Sequence, residues 1–583
     1  MEKIKKRRPL LFSIILFILL PAYFLKFSHD LFIADVYTLI NYCAVLAQFL
    51  LAFTLIRYFI TVRSLKPIFS ILISIYYVLI YIIILYKLVT GNLLNFIFLV
   101  DGEVLKTIQS SFGIFVLVPA LGIIILFIGY YILTKKLLTY TDKLIIHPII
   151  SGSLLLIVSI GFIYFAPEYD YFLNQMASFK SVKGVRSTPP QLPSNNKYSL
   201  NSSDNIFIVQ LESVNAYSII TAEKKYKQKY MPELYRIGRQ GTIFPLFWGN
   251  SIQTHRAQEN ILCGLYYNDG KSYFEREQEL TIPCLPEKLK EAGYTTLFFC
   301  GWPDPSFWES GDFMEHIGFD EVHYGDFMHK EDTQYRWGYD DCDVYKRVFE
   351  YLNKNYPKKS KLFVYIEMCM SHFPFEPKEE YASIHAFKEP KDFTKKYLNS
   401  MQEQDYCLKY FYSDFQQYDT GKSHLFILAD HSWPTGMHNN CYNEKGAYNE
   451  NFLTPLVYVP PVADKKKYYE NNFSQQIFDQ SDLMPTVFEL LSGKPYQNSF
   501  AFALKKGLKN NSYEDCHVMV QPYNNPQVAV VKENLKYVYT FKNNSVVVYD
   551  LINDMPEKNP SIIHKNITYK KFQQKYFCKR FYN

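Results

Sequence analysis

The residues best equipped for chemistry lie far apart in this chain. One is Thr254, within Ser251-Ile252-Gln253-Thr254-His255-Arg256-Ala257-Gln258-Glu259, which follows the β-favouring run Thr242–Trp248 and reads as the start of a helix. At or near a helix N-cap, backbone N–H groups and the helix dipole favour an anion. A hydroxyl held there can attack phosphorus or sulfur once its proton has somewhere to go. Simple capping of the helix is the plainer use of a threonine in this place. The other candidates are Glu212, the pair Asp430-His431, and His372.

Each of these follows an apolar run. Ile206–Leu211 ends in Glu212-Ser213, His424–Ala429 ends in Asp430-His431, and Leu362–Glu367 leads into Ser371-His372-Phe373-Pro374-Phe375. Expected strands at Ile206–Leu211, Thr295–Phe299, Leu362–Ile366, Leu425–Ala429 and Leu456–Val459 alternate with helical patterns such as Leu285–Ala292 and Asp343–Leu352. That alternation predicts a mostly parallel sheet with helices on both faces. A last group, His517–Gln521, Val528–Val531, Tyr537–Phe541 and Val546–Leu551, predicts a small antiparallel C-terminal sheet. Open α/β sheets bind ligands beyond the carboxyl ends of their strands, where these polar residues would lie.

Glu212, Asp430, His431 and the Thr254 hydroxyl would make a mixed oxygen and nitrogen site for one divalent metal, Mn²⁺ or Zn²⁺. The metal would lower the pKa of the threonine hydroxyl and offset charge on phosphoryl oxygens. His372 would bind the transferred group or protonate the leaving oxygen. His438 is a further candidate, for a second metal or for substrate, against the reading of a surface-loop histidine.

The domain resembles the alkaline phosphatase superfamily, in the membrane-bound branch of lipoteichoic acid synthase and the phosphoglycerol transferases of periplasmic glucans. The matching stretches are Ile206–Ser213, Met231–Leu234, Thr254–Leu265, Leu285–Tyr294, Gly318–Asp320, Trp337-Gly338 with Asp340-Asp341, Ser371–Phe375, Ala429–His431, Asp482 with Pro485-Thr486, and Tyr549–Glu557. The resemblance implies that Glu212, Thr254, Asp430 and His431 hold the metal, that Thr254 becomes a phosphothreonine, and that His372 meets the substrate phosphate. Where the synthases carry His-Gly and then Phe-Trp-Asn-Arg, this chain has Cys300-Gly301 and Phe307-Trp308-Glu309-Ser310. The head-group arginine is thus missing; Trp308 is kept as a substrate contact, with His255 or Arg256 as substitutes for the arginine. Cys284-Leu285-Pro286-Glu287-Lys288 comes near the Cys-x-Pro-x-Arg of formylglycine sulfatases but ends in lysine, and is read as chance.

Composition bounds the rest. The 583 residues are almost purely apolar at first and mixed thereafter, with a formal net charge of +6. Much of that charge is in Lys3, Lys5, Lys6, Arg7 and Arg8, and no basic face interleaved with aromatics follows, so nucleic acid is excluded as a partner. Five runs near 10–27, 34–58, 67–89, 112–134 and 148–166 are long enough to span a bilayer, which takes roughly 20 residues. Lys/Arg clusters put the N-terminus and alternate loops in the cytoplasm, so an odd number of spans delivers the remainder outside. The expected organisation is a transmembrane domain at 1–166, a linker at 167–204, a catalytic domain at 205–510 and an antiparallel subdomain at 511–583. Ten cysteines are present and all but Cys43 follow the apolar part. In an oxidising compartment Cys263 and Cys284 are the expected disulfide.

The function expected is transfer of phosphoglycerol or phosphoethanolamine from a membrane phospholipid to a glycan or glycolipid hydroxyl, at a bacterial cytoplasmic membrane with the domain facing the periplasm or exterior. A metal-dependent phosphatase or sulfatase is the first alternative, and a non-catalytic membrane sensor or scaffold the second.

Overall fold

The computed structural model describes the chain from Leu200 to Cys578, apart from short stretches at 201, 220–229, 266–271, 276–279, 281, 307–309, 336–337, 360, 374, 391, 439–445, 470–471, 475, 511–512 and 522–526. Before residue 200 it describes Ile71, Ile128 and Ile132 alone, each helical and exposed. The five expected spans otherwise lie outside the described residues, among which no helix is long and apolar enough to cross a membrane. Two compact units divide the chain, Met1–Met176 and Ala177–Asn583. The second unit holds every described strand and all of the candidate site residues.

Strands and helices alternate along it as the apolar runs require. The order is β1 (Asn205–Leu211), α1 (Pro232–Gly238), β2 (Thr242–Trp248), α2 (Thr254–Cys263), α3 (Leu285–Glu291), β3 (Thr295–Cys300), α4 (Ser310–His316) and β4 (Glu321–Tyr324). A short hairpin of β5 (Gln334–Tyr335) and β6 (Gly338–Tyr339) precedes α5 (Asp341–Asn355), β7 (Leu362–Glu367), α6 (Phe393–Tyr418) and β8 (Ser423–Ala429). Next come α7 (Asn449–Phe452), β9 (Leu453–Val459), β10 (Asn472–Phe473), β11 (Phe478–Asp479), α8 (Leu483–Ser492) and α9 (Ala501–Leu504). The last part holds β12 (Cys516–Gln521), β13 (Gln527–Lys532), β14 (Leu535–Thr540), β15 (Ser545–Asp550), β16 (Ser561–His564) and α10 (Tyr569–Tyr576).

The main sheet runs β10-β2-β9-β8-β1-β7-β3-β4, with β11 also on β2. β9 is antiparallel to both its neighbours, and the other pairs are parallel. The reason is local: the chain leaves β8 at one sheet edge and enters β9 at that same edge, so β9 must run back. β1, β7 and β8 are buried along their whole length, as continuous apolar runs covered on both faces should be. On one face Ile206, Ile208, Phe298, Tyr365 and Phe426 pack with Ala257, Ile261 and Leu262 of α2. On the other, Phe207, Val209 and Val364 pack with Val344, Val348 and Leu352 of α5 and with Leu408 and Phe411 of α6. The four-residue spacing in α5 is what puts its apolar stripe on the sheet.

The C-terminal strands form an antiparallel sheet in sequence order, β12 to β16. The sequence predicts four of them; β16 and α10 are additional. The period-two alternation serves two surfaces. Met519, Ala529, Val531 and Val538 pack on Trp248 and Ile252, while Val518, Val520, Val528 and Val530 pack on Phe572 and Tyr576 of α10. Asn250, just ahead of Thr254, donates from Nδ2 to the Val518 carbonyl at 3.0 Å, and its own carbonyl accepts from Val520 N–H at 3.2 Å. The smaller sheet therefore braces the segment that leads to α2. Residues at the end of the expected linker are already tied down: Ser202 N–H donates to the Leu491 carbonyl at 3.2 Å, and Asp204 lies 3.5 Å from His424.

Candidate active site

β1 and β8 are adjacent and parallel, with Leu211 opposite Ala429. The next residue of each, Glu212 and Asp430, is thereby brought to one edge on the same face. Glu212, Asp430 and His431 are all buried, and one ligand atom from each lies within 4.8 Å of the others. His431 Nε2 is 3.4 Å from Asp430 Oδ2 and 3.7 Å from Glu212 Oε1. Its Nδ1 lies 3.1 Å from the Ser432 carbonyl, which accepts the Nδ1–H and leaves the Nε2 lone pair aimed at the carboxylates.

Thr254 joins them from α2. Its hydroxyl donates to Asp430 Oδ2 at 2.7 Å. Thr254 is the first helical residue and Gln253 is the N-cap, whose side chain makes no capping hydrogen bond. The first-turn N–H groups have no carbonyl within the helix to bond, which suits the approach of an anion.

The backbone around the carboxylates is over-determined. Asp430 Oδ1 accepts from Ser213 N–H at 2.8 Å and from His431 N–H at 2.7 Å. Ser213 is left-handed at φ 57°, and its hydroxyl donates to Glu212 Oε1 at 2.6 Å. Tyr397 on α6 donates its hydroxyl to the Ser213 carbonyl at 2.7 Å and accepts from Asn215 N–H at 3.0 Å. Gln480 Nε2 donates to the Ala429 and Asp430 carbonyls from the β11 side. Sequence reasoning misses Ser213, Tyr397 and Gln480. The only local signal is a buried-strand end followed by small polar residues.

Electrostatics supply the fit test for a metal. Burial pushes the Glu212 carboxyl well above the ordinary carboxylate range, and the neighbouring Asp430 charge pushes it further. Two buried carboxylates and an imidazole lone pair, with no lysine or arginine among their partners in the described residues, form a donor set suited to a divalent cation. The chemistry of the donors does not choose between Mn²⁺ and Zn²⁺.

The other expected residues fall around this group unevenly. His372 is half-buried in the turn after β7, with Nδ1 2.8 Å from the Phe373 carbonyl, which accepts the Nδ1–H. His255 sits with its ring 5.8 Å from that of Phe274, and burial, then the Arg256 and His431 charges, hold its pKa well below the usual histidine value. Arg256 is buried and donates from Nε to Gln253 Oε1 at 2.8 Å, so part of its fork is engaged within the first turn. His438 is not brought into the group. Its Nδ1 is 2.8 Å from Glu450 Oε1, its Nε2 is 3.3 Å from the Glu557 carbonyl, and its ring stacks on Tyr448 at 3.7 Å. Trp308 lies outside the described residues. Cys263 and Cys284 are bridged, which ties the end of α2 to the N-cap of α3 and removes Cys284 from any nucleophilic role. Two further bridges, Cys342–Cys407 and Cys516–Cys578, go beyond the one the sequence predicts.

Comparison with known families agrees with this architecture. Residues 204–494 match the family model described as Sulfatase. No curated protein matches the sequence. Among solved structures, a protein of the alkaline phosphatase superfamily from Vibrio parahaemolyticus is 16% identical, covering 68% of this chain and 90% of its own, with a TM-score of 0.49. The lipoteichoic acid synthase LtaP from Listeria monocytogenes is 18% identical, covering 63% and 90%, with a TM-score of 0.49. A phosphonate monoester hydrolase of Agrobacterium radiobacter is 12% identical, covering 61% and 90%, with a TM-score of 0.44. The chain carries a sulfatase-family domain with an alkaline-phosphatase-like α/β fold.

Proposed function

We propose that this protein is a membrane-anchored phosphotransferase. It takes phosphoglycerol or phosphoethanolamine from a membrane phospholipid onto Thr254 and passes it to a hydroxyl of a glycan or glycolipid. The observation that carries this reading is the Thr254 hydroxyl, at a helix N-terminus, donating to Asp430 within the buried Glu212–Asp430–His431 group. A threonine there, with Cys284 locked in a disulfide, favours phosphoryl chemistry over the formylglycine route.

Glu212, Asp430, His431 and Thr254 would hold one Mn²⁺ or Zn²⁺, which supplies charge neutralisation and lowers the hydroxyl pKa. Thr254 Oγ1 attacks phosphorus, its proton already directed along the hydrogen bond to Asp430 Oδ2. The N-terminal N–H groups of α2 receive the phosphoryl oxygens. His372 protonates the departing diacylglycerol oxygen and then takes the proton of the acceptor hydroxyl, which displaces Thr254 Oγ1 from phosphorus as Asp430 returns the proton to Oγ1. Apolar spans would hold the domain where such a donor is found, with Ala177–Asn583 outside the cytoplasm.

The test is to incubate the purified full-length protein separately with labelled phosphatidylglycerol and phosphatidylethanolamine. Diacylglycerol release from one lipid, with an adduct mass on the Thr254 peptide that is lost in Thr254→Ala, is the expected result. Release of free phosphate or of the water-soluble phosphorylated head group, with no transfer to an acceptor, would replace this reading with a hydrolase.

A further inference from the structure

A second group of ligand-type side chains sits on the same sheet face, one strand further along. β7 lies between β1 and β3, with Glu367 opposite Gln210 on one side and Cys300 on the other. Cys369 is two residues past Glu367, as Glu212 is two past Gln210, so strand alternation directs all four to the α2 side. One ligand atom each from Cys300, Glu367 and Cys369 lies within 4.8 Å of the others. Cys300 and Glu367 are buried and Cys369 is half-buried. Cys300 Sγ accepts from Trp302 N–H at 3.4 Å, which fixes the thiol at the end of β3. Asp341 at the start of α5 steadies the Cys369 turn by accepting from Met370 N–H at 3.3 Å.

These residues have no assigned work in the chemistry above. Six other cysteines of the domain are joined in three bridges, whereas these two thiols are unbridged and lie close to each other and to a carboxylate. Glu212, Asp430 and Glu367 are all buried along this edge, and no lysine or arginine hydrogen bonds or pairs with any of them among the described residues.

We propose that Cys300, Cys369 and Glu367 form a second metal site, for a soft divalent cation such as Zn²⁺, beside the Glu212–Asp430–His431 group. Zinc takes thiolate at about 2.3 Å and carboxylate at about 2.0–2.2 Å, which sets ligand atoms roughly 3.5–3.8 Å apart around a tetrahedron. The observed cluster needs only small inward shifts to reach that. Two thiol protons leave as the ion enters. The side of the cluster at Cys369, the least buried of the three residues, is the open fourth position, for water or a substrate oxygen. The assignment stands whether or not Thr254 proves to be a phosphoryl carrier.

The probe is Co²⁺ alone, added to metal-stripped full-length protein in detergent under reducing conditions. A near-ultraviolet thiolate-to-cobalt charge-transfer band is expected, absent in Cys300→Ser and in Cys369→Ser, and retained in Glu212→Gln. Glu367→Gln keeps both thiols and should weaken Co²⁺ binding by more than the roughly 10- to 100-fold that loss of an outer-shell partner costs. In parallel, Zn²⁺ should protect the Cys300 and Cys369 peptides of the folded wild-type protein from N-ethylmaleimide. A wild-type protein with no such band and unprotected thiols overturns the site. So does a Cys300–Cys369 disulfide found by peptide mass in protein never exposed to reductant.

Discussion

Ser213 holds a left-handed conformation, at φ 57°, that costs a residue with a side chain on the order of 1–3 kcal/mol. The cost is offset by what the turn achieves: its N–H meets Asp430, its hydroxyl meets Glu212 and its carbonyl meets Tyr397. Ser213→Ala keeps the turn but removes one partner of the Glu212 carboxylate. We expect metal affinity to fall roughly 10- to 100-fold, measured by calorimetric titration with Mn²⁺, with little change in unfolding temperature. Thr254→Ser should retain the adduct, whereas Thr254→Ala should lower transfer on the order of 10³-fold or more in the lipid assay. Glu212 and Asp430-His431 are legible in the sequence because they follow buried strands directly. Ser213 is not, since nothing in a serine's identity announces a positive φ. His438, near Gly436 and several Asn, reads from the sequence as a surface-loop residue or a ligand; in the fold its two ring nitrogens face Glu450 and the Glu557 carbonyl.

At the scale of elements, the bridges decide how firmly α2 and its surroundings are held. Cys263–Cys284 spans 21 residues and Cys342–Cys407 spans 65, tying α5 to α6. Chain entropy assigns them about 3 and about 4 kcal/mol. Denaturant unfolding of Cys263→Ser and of Cys342→Ser should show losses of that order, the second larger. The short-range pair can be proposed from its spacing alone, but Cys342 and Cys407 are separated by β7 and half of α6. α6 itself is hard to see in the sequence, and its composition explains why. Asn399, Ser400, Glu403, Gln404 and Asp405 are buried along it, so its inward stripe is polar for more than a turn and the apolar period is blurred. β9 reads plainly as a strand, but its reversed direction comes from the path of the chain after β8 rather than from its own residues.

Across the whole molecule, the two sheets are joined by buried charge. His517 on β12 lies 2.7 Å from Asp479 on β11 and 3.4 Å from Asp515. Burial pulls the His517 pKa down, but those carboxylates outweigh it and raise it to about 9. With an unfolded value near 6.5, the native state holds the extra proton between the two. This stabilisation is complete below about pH 6.5 and is lost as pH rises through 9, amounting to about 3 kcal/mol. Asp341 acts in the same direction: burial raises it to about 8, so the folded chain again binds more protons than the unfolded one. The unfolding temperature of chelated protein should therefore be lower at pH 9 than at pH 6, and His517→Gln should flatten that dependence. The division into an apolar first part and an α/β remainder can be read from hydropathy and alternation. The interlock between the sheets cannot, because it rests on side chains drawn from β11 and β12.

The hydrogen bonds that join Asn250 to β12, donated to the Val518 carbonyl and accepted from Val520 N–H, and the Lys536 ammonium 5.1 Å over the Trp248 ring, have a consequence for biosynthesis. Ribosomes deliver Thr254 more than 260 residues before Val518. Until that late hairpin has emerged and docked, the approach to the threonine lacks its outer wall, so a nascent chain stalled between His431 and Val518 carries every side chain of the cluster and still cannot hold Thr254 in register.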